Sequence, residues 1–404
     1  MRYVNRGLVV SSAVALLLVG CGDDVNDDSA ITQESTEAVA DEAVATEVDV
    51  APGEATWTRV AAEESIEHIG SLDIEGALGD VAITESGFVA VGVAEGNAAV
   101  WTSPDGVSWR RATQVPDTDP RGFSGGIALT DDGHVAMTAR GAFGAGEVAV
   151  WASPDGRNWN RVVGGPAVFG DGTNVADVTQ GGPGLVAVGN SRDHNSPAIS
   201  AVVWTADNED SWTRVPHDDA IFGDAMMTGV VAGDQGLLAV GVTAGQPTVW
   251  TSPDGLSWTR VLLDDALFDD VNPIDTSIAV VAGGPGWVAV GGTTDGGPAA
   301  WTSPDGATWT RLSDDAFGGG PTERLVAVTA TTSQLLAVGE GSSLWTSTDG
   351  TTWTNIPHEV AERAEGEPRI AAAVADDTKV IVVGAVGDGS VESRPAVWNA
   401  TLPD

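Results

Sequence analysis

The chain has 404 residues, of which 18 are Lys or Arg and 58 are Asp or Glu, a net charge of −40. A surface of that sign repels phosphates, so nucleic acid and anionic lipid headgroups are excluded as partners, both of which need basic patches; the only lysine is Lys379. The only cysteine is Cys21, so no intramolecular disulfide can form.

At the N-terminus, Arg2 and Arg6 precede an apolar run from Leu8 to Val19 that ends Leu18-Val19-Gly20-Cys21. The run is shorter than the roughly 20 residues that span a bilayer, which predicts a cleaved export signal over 1–20 instead of a membrane helix. The closing tetrad resembles a bacterial lipobox, and that resemblance implies acylation of Cys21 with palmitate-type chains. The expected location is the cell envelope: the outer face of the cytoplasmic membrane, or the periplasm or outer membrane in a two-membrane cell. Loss of 1–20 removes Arg2 and Arg6 and no acid, leaving 16 basic against 58 acidic residues, net −42.

Residues 22–54 hold eleven acids, no Lys or Arg and no aromatic residue, the composition of a self-repelling tether. Residues 21–54 are therefore read as an acidic disordered linker on the order of 30 Å in reach.

Residues 55–404 are built on one recurring line, Trp101-Thr-Ser-Pro-Asp-Gly-Val-Ser-Trp109. It returns as Trp151 to Trp159, Trp204 to Trp212, Trp250 to Trp258, Trp301 to Trp309 and Trp345 to Trp353, the second tryptophan always eight residues after the first and the units 44 to 53 residues apart. Periods of this length belong to propeller blades. A first half stands alone at Trp398 and a second half alone at Thr56-Trp57-Thr58-Arg59-Val60, which gives seven of each. The predicted fold is thus all-β, a seven-bladed β-propeller of four-stranded antiparallel blades whose N-terminal strand completes the last blade and closes the ring. Apolar runs such as Leu185-Val186-Ala187-Val188 suit blade strands buried on both faces.

Ser-Pro-Asp-Gly has the chemistry of a tight turn, and Asp105, Asp155, Asp254, Asp305 and Asp349 are assigned to it as structural residues. In the third unit Ala206-Asp207-Asn208-Glu209-Asp210 replaces it, which predicts a looser turn.

Ser103, Asp105, Ser108 and Trp109 resemble the Asp-box, or BNR, repeat of sialidase-type propellers, although the glycine follows the aspartate directly and the motif is one residue shorter. The resemblance spans 55–404 and implies a fold, with the box as a turn remote from any catalytic face. It also implies an arginine triad and a tyrosine nucleophile for activity, yet the one tyrosine, Tyr3, lies in the signal segment. Arg59, Arg161, Arg214, Arg260 and Arg311 all hold one repeat position after the second tryptophan and are read as part of the blade.

Fourteen of the 15 tryptophans occupy the two repeat positions, and the exception, Trp287, stands where other blades have a core leucine. The five histidines, His68, His134, His194, His217 and His358, lack zinc-ligand spacing. Ser191 to Ser196 contains Ser, Asp and His in one loop, too close in sequence to converge as a triad.

The candidate ligand face is built by the long connections between blades. They carry Asp171, Asp218, Asp219, Asp224, Asp264, Asp265, Asp269, Asp270, Asp314 and Asp315, together with Phe123, Phe169, Phe222, Phe268 and Phe317. The carboxylates serve as solvated charge or as oxygen ligands for calcium, the one ion they would suit; no other cofactor is expected and no metal is assigned. The phenylalanines are read as plugs between blades. The function expected is a monomeric, non-catalytic binding or scaffold module for an extracellular protein or glycan. The alternative is an extracellular glycoside hydrolase using loop carboxylates, or an assembly helper with an apolar loop face.

Overall fold

The computed structural model describes residues 57–59, 66–67, 76–94, 97–112, 126–130, 133–139, 148–192, 198–271, 278–318, 323–341, 343–356, 367–387 and 393–402. Cys21, the signal segment and the tether lie outside the described residues, as do Phe123, His68, Asp193, His194, Asn195, Ser196 and His358.

Seven antiparallel sheets form the fold, each a meander running from an innermost to an outermost strand. In the third blade the strands are Thr173–Gly181, Gly184–Arg192, Ile199–Ala206 and Thr213–Arg214, and in the fourth Ala225–Gly233, Gly236–Thr243, Gln246–Ser252 and Thr259–Val261. The innermost strands neighbour one another around a closed ring, with Glu367–Ala375 of the seventh blade beside Gly76–Thr84 of the first. The seventh blade is split as the repeat count requires. Its three inner strands are C-terminal and its outermost is Trp57–Arg59, in register Trp57↔Ala400, Thr58↔Asn399 and Arg59↔Trp398. The first blade carries a strand that the repeat does not announce: Ile66–Glu67 adds a fifth, parallel strand outside Trp109–Arg111.

The Ser-Pro-Asp-Gly turn explains how blades are joined. In the fifth blade Asp305 Oδ1 accepts from the backbone N–H of Ala307 (2.9 Å) and Thr308 (2.6 Å), Oδ2 accepts from Thr308 Oγ1 (3.1 Å), and Ser303 Oγ accepts from Gly306 N (2.8 Å). Asp105 and Asp254 make the same set, and Asp155 and Asp349 accept the same two backbone bonds. The turn glycines have φ of 71–79°, and the carbonyls of Gly106, Gly156, Gly255 and Gly306 accept from the second tryptophan of the motif, as from Trp258 Nε1 to Gly255 at 2.8 Å, whereas Trp353 Nε1 in the sixth blade has no acceptor. Each glycine also sits in a joint with no room for a side chain. A β-carbon at Gly306 would stand 2.9 Å from Thr251 Cγ2 and 3.2 Å from Leu238 Cδ1 of the preceding blade, and 3.4 Å from Trp287 of its own. Gly106 meets Ile381 and Phe88, Gly156 meets Val89 and His134, Gly255 meets Val186 and Leu237, and Gly350 meets Val288 and Leu335 in the same way. The third blade's turn is looser, as expected: its backbone bonds are Asn208 N to Ser211 Oγ at 3.3 Å and Asp210 N to Asn208 Oδ1 at 3.2 Å.

Where the split blade has no such turn, other groups hold the sixth-to-seventh joint. Asp377 accepts from Thr332 N (3.1 Å) and Oγ1 (2.6 Å) across the joint, and Leu402, bonded within the seventh blade to Thr378 O at 2.8 Å, is buried in one apolar cluster with Val326 and Leu336 of the sixth. Two innermost strands are clipped to their neighbours by carboxylates that repeat counting overlooks. Asp80 and Asp177, each 1% exposed and each following a β-bulge, accept from Ile127 N and Val230 N of the next blade, both at 2.8 Å.

Replacing Asp305 by Ala leaves two backbone N–H groups at the turn without their acceptor and is expected to cost about 1 kcal/mol. Gly306→Ala forces a β-carbon into a packed joint at φ 75° and should cost about 2 kcal/mol or more. Urea unfolding midpoints compare the two, and an unchanged midpoint for both would remove the turn from the joint. Backbone hydrogen bonds, from Asn158 and Thr351 first, hold Asp155 and Asp349 down to about 2. An unfolded carboxyl titrates near 3.9, so these groups stabilise the fold above that pH and their contribution is lost as pH falls towards about 2. Melting temperature measured from pH 5 to 2 should fall in that window, and less steeply for Asp155→Asn/Asp349→Asn.

Candidate functional site

Strand direction fixes which loops share a rim. The Asp-box turns and the hairpins between the two innermost strands lie on one rim, and the blade-to-blade connections and the hairpins between second and third strands lie on the other. The ten aspartates of the candidate face are all on this second rim and all exposed.

Several of them have local tasks. Asp218 caps the short helix Asp219–Phe222 by accepting from Ala220 N at 2.9 Å, and Asp264 caps the 3-10 turn Asp265–Leu267 through Ala266 N at 3.1 Å. Asp219 pairs with His217 Nε2 at 2.8 Å, and Asp270 takes a bidentate pair from Arg311. Asp314 and Asp315 open the 3-10 turn Asp314–Phe317. Asp171 follows the helix Pro166–Phe169, and Asp224 adopts a left-handed φ of 49°. The sequence motif Asp-Asp-Ala-x-Phe is thereby accounted for locally as a helix start. Among the described residues no three His, Cys, Asp or Glu side chains gather where they could hold a metal ion.

The phenylalanines end these connections and face inward, as read from the sequence for the three that are buried. Phe169 packs on Trp204 and Trp212 of the next blade at ring distances of 5.7 and 6.2 Å, and Phe317 packs on Trp345 and Trp353 at 5.4 and 6.5 Å. Phe222 is buried as well, and half-buried Phe268 lies 5.3 Å from Trp301. The same connections accept from the first tryptophans: Trp250 Nε1 donates to Ile221 O at 2.8 Å and Trp301 Nε1 to Leu267 O at 3.0 Å. Trp287 is buried in the core.

Arg260 and Arg311 stay with their own blades and the connections that enter them. Arg260 donates to Gly223 O and to Thr243 Oγ1 and lies 5.8 Å from the Trp250 ring; Arg311 lies 5.2 Å from Trp301. They do not converge on a common point, because each is set opposite its own tryptophan by register. Glu323 was not singled out by the sequence; its carboxylate accepts from Gly341 N and Ser343 N and shapes the sixth blade's loop on this rim.

His134 takes the joint position filled by Phe88, Leu185, Leu237, Trp287 and Leu335 elsewhere, 6.3 Å from Trp159 and 3.2 Å from Ser153 O. Burial lowers its pKa, against smaller opposing effects of the Ser153 carbonyl and of Asp155. An unfolded imidazole protonates near pH 6.5. The folded chain resists that proton, so stability is level above about 6.5 and falls as pH drops below it. His134→Leu should flatten this fall; melting temperatures at pH 7.5 and 5.5 test it, and an unchanged difference between the two pH values would count against the joint histidine as its source.

No protein-family model matches this sequence, and no curated protein is similar to it. Among solved structures, YCF48 bound to D1 peptide superimposes with a TM-score of 0.54 at 14% identity, covering 88% of this chain and 99% of that one. YCF48 from Cyanidioschyzon merolae gives 0.50 at 17% identity over 86% and 99%. Trypanosoma rangeli sialidase with the inhibitor DANA gives 0.49 at 13% identity over 87% and 60%. At such identities the likeness concerns the fold alone, a seven-bladed β-propeller.

Proposed function

We propose that this Asp-box propeller is a non-catalytic binding module of the cell envelope, anchored through an acylated Cys21, held off the membrane by residues 22–54, and engaging a protein partner with its acidic rim. The observation that carries the reading is the set of exposed aspartates on one rim, of which Asp171, Asp218, Asp219, Asp264, Asp265, Asp314 and Asp315 stand on or beside short helical turns at successive blade connections. A rim of one sign concentrates cationic groups and speeds their encounter.

Other residues of note have structural tasks: the tryptophans and box aspartates hold joints, and Arg260 and Arg311 are bonded to the connections entering their blades. A propeller with this fold has been solved with a bound peptide, which supports a polypeptide over a glycan. The anchor rests on the Leu18-Val19-Gly20-Cys21 tetrad and the apolar run before it. In envelope preparations, labelled palmitate should enter the wild-type chain and not Cys21→Ser.

A lysine-rich octapeptide carrying a fluorophore is the probe for the rim. Binding should weaken severalfold on replacing Asp218, Asp219, Asp264 and Asp265 together by Asn, which caps helices as well as Asp does. It should also weaken with added salt, since exposed charges are screened over about 10 Å at 0.1 M. Equal binding by wild type and the fourfold variant in anisotropy titrations would overturn the reading.

A further inference from the structure

Blades pair their first tryptophan, directly across a hairpin, with a residue of the outermost strand: Trp101 with Arg111, Trp151 with Arg161, Trp204 with Arg214, Trp250 with Arg260, Trp301 with Arg311 and Trp345 with Asn355. Indole and guanidinium are both donors and cannot satisfy each other, so each pair needs acceptors from its surroundings. In the fourth blade these are Ile221 O, Gly223 O and Thr243 Oγ1; in the fifth, Leu267 O and the Asp270 carboxylate; in the sixth, Ser343 Oγ and Leu344 O. Trp151 and Arg161 are both partnered, and although the Trp101 indole lacks an acceptor, Arg111 has a partner.

The third blade differs in both members. Trp204 Nε1 is buried without an acceptor, and among the described residues the Arg214 guanidinium has no hydrogen-bond or ion-pair partner. The cause is legible in the connection that enters this blade. Gly165-Pro166-Ala167-Val168-Phe169 replaces the Asp-Asp-Ala-x-Phe pattern, its helix has no side-chain cap, and Trp204 packs edge-on against Phe169. Arg214 lies beside Gly170, where a β-carbon would stand 3.6 Å from its Nη1 and 3.5 Å from Thr173 Oγ1. Gly170 has φ 87°, so this position is kept clear of a side chain both by conformation and by space. Packing against the loop partly desolvates the guanidinium and lowers its pKa, yet the residue is exposed, so water fills the place that protein acceptors take in other blades.

We propose that the Arg214 corner of the third blade anchors a carboxylate of the polypeptide partner, namely the free C-terminus of a basic segment. This deepens the acidic-rim reading and rests on it. A guanidinium receives a carboxylate through two parallel N–H···O bonds, a geometry that a glycine-floored corner admits. Charge selects the rest of the ligand. Asp171, Asp218, Asp219 and Asp224 belong to the adjoining connections, so a polyanion such as a uronic-acid glycan is repelled, while a segment with lysines along its length and one terminal carboxylate satisfies both signs.

The field alone would favour the more positive ligand, and the anchor favours the opposite, which makes the test decisive. The full chain is titrated at about 50 mM salt with a lysine-rich octapeptide as the free acid and as the C-terminal amide. The acid should bind about tenfold more tightly. Arg214→Gln should abolish that preference with an unchanged melting temperature, Arg214→Lys should keep a small part of it, and Arg157→Gln on the opposite rim should leave it intact. Equal binding of acid and amide to the wild type, or a preference that survives in Arg214→Gln, overturns the anchor while leaving the acidic rim in place. Competition by oligogalacturonate that depends on Arg214 assigns the corner to a glycan and overturns the peptide assignment. Failure of both peptides to bind counts against the rim itself and takes the anchor with it.

Discussion

Everything in this ring depends on a glycine that has no room to be anything else. At each complete Asp-box turn the glycine is wedged between the second strand of the preceding blade and the joint residue of its own, with φ in the left-handed region. In the fifth blade the aspartate supplies the acceptors that keep the turn in that shape, the serine closes onto the glycine N–H, and the tryptophan eight residues after the first returns to the glycine carbonyl. One local motif therefore makes a hairpin, seats a large aromatic side chain and docks a blade on its neighbour. Such an interaction can be repeated because it refers only to the next unit, which is how a quasi-periodic architecture reaches a core of this size with one long-range pairing, that of Trp57–Arg59 with the seventh blade.

The same dependence explains what happens where the motif cannot occur. The split seventh blade draws its third and outermost strands from separate segments, Ser393–Thr401 and Trp57–Arg59, so no hairpin turn joins them, and the joint passes to Asp377, Thr332 and the buried Leu402. The innermost strands add Asp80 and Asp177, buried carboxylates held by backbone N–H groups of both their own and the next blade. A buried carboxylate is tolerable only when so bonded, and it ties neighbouring blades at the axis while the box turns tie them at the rim.

The fold was legible because tryptophan pairs at a spacing of eight are too rare to recur by accident and because unmatched halves at 57 and 398 demand ring closure. Phe169, Phe222 and Phe317 were likewise legible as plugs, since residues at equivalent places in a repeat are explained by the joint they share. Asp80 and Asp177 were not, because they depart from the repeat and their partners lie in the next blade, 47 and 53 residues away. Nor was the fifth strand Ile66–Glu67, whose two residues carry no alternation to read. The short helices were hidden for a different reason: Asp-Asp-Ala-x-Phe was read as a cluster of carboxylates, and its first aspartate proves to be a cap in two blades.

Those outcomes bear on how a site is found in a repeat protein. A residue that recurs is explained by packing, so the informative positions are those where one unit loses a partner that its siblings keep. Three departures gather in or beside the third blade: the box turn is replaced by Ala206 to Asp210, the entering connection has exchanged its aspartates for Gly165-Pro166, and Trp204 and Arg214 are left as donors without acceptors. Substitute bonds of Asn208, Ser211 and Trp212 hold the altered turn, whereas among the described residues the Trp204 indole and the Arg214 guanidinium gain no protein acceptor. Sequences lose local consistency where something other than folding uses the residues. In a chain with more than three acids for every base, a repeat arginine with no protein acceptor among the described residues is a departure from Arg260 and Arg311, and it leaves an exposed guanidinium available to a carboxylate from outside the molecule.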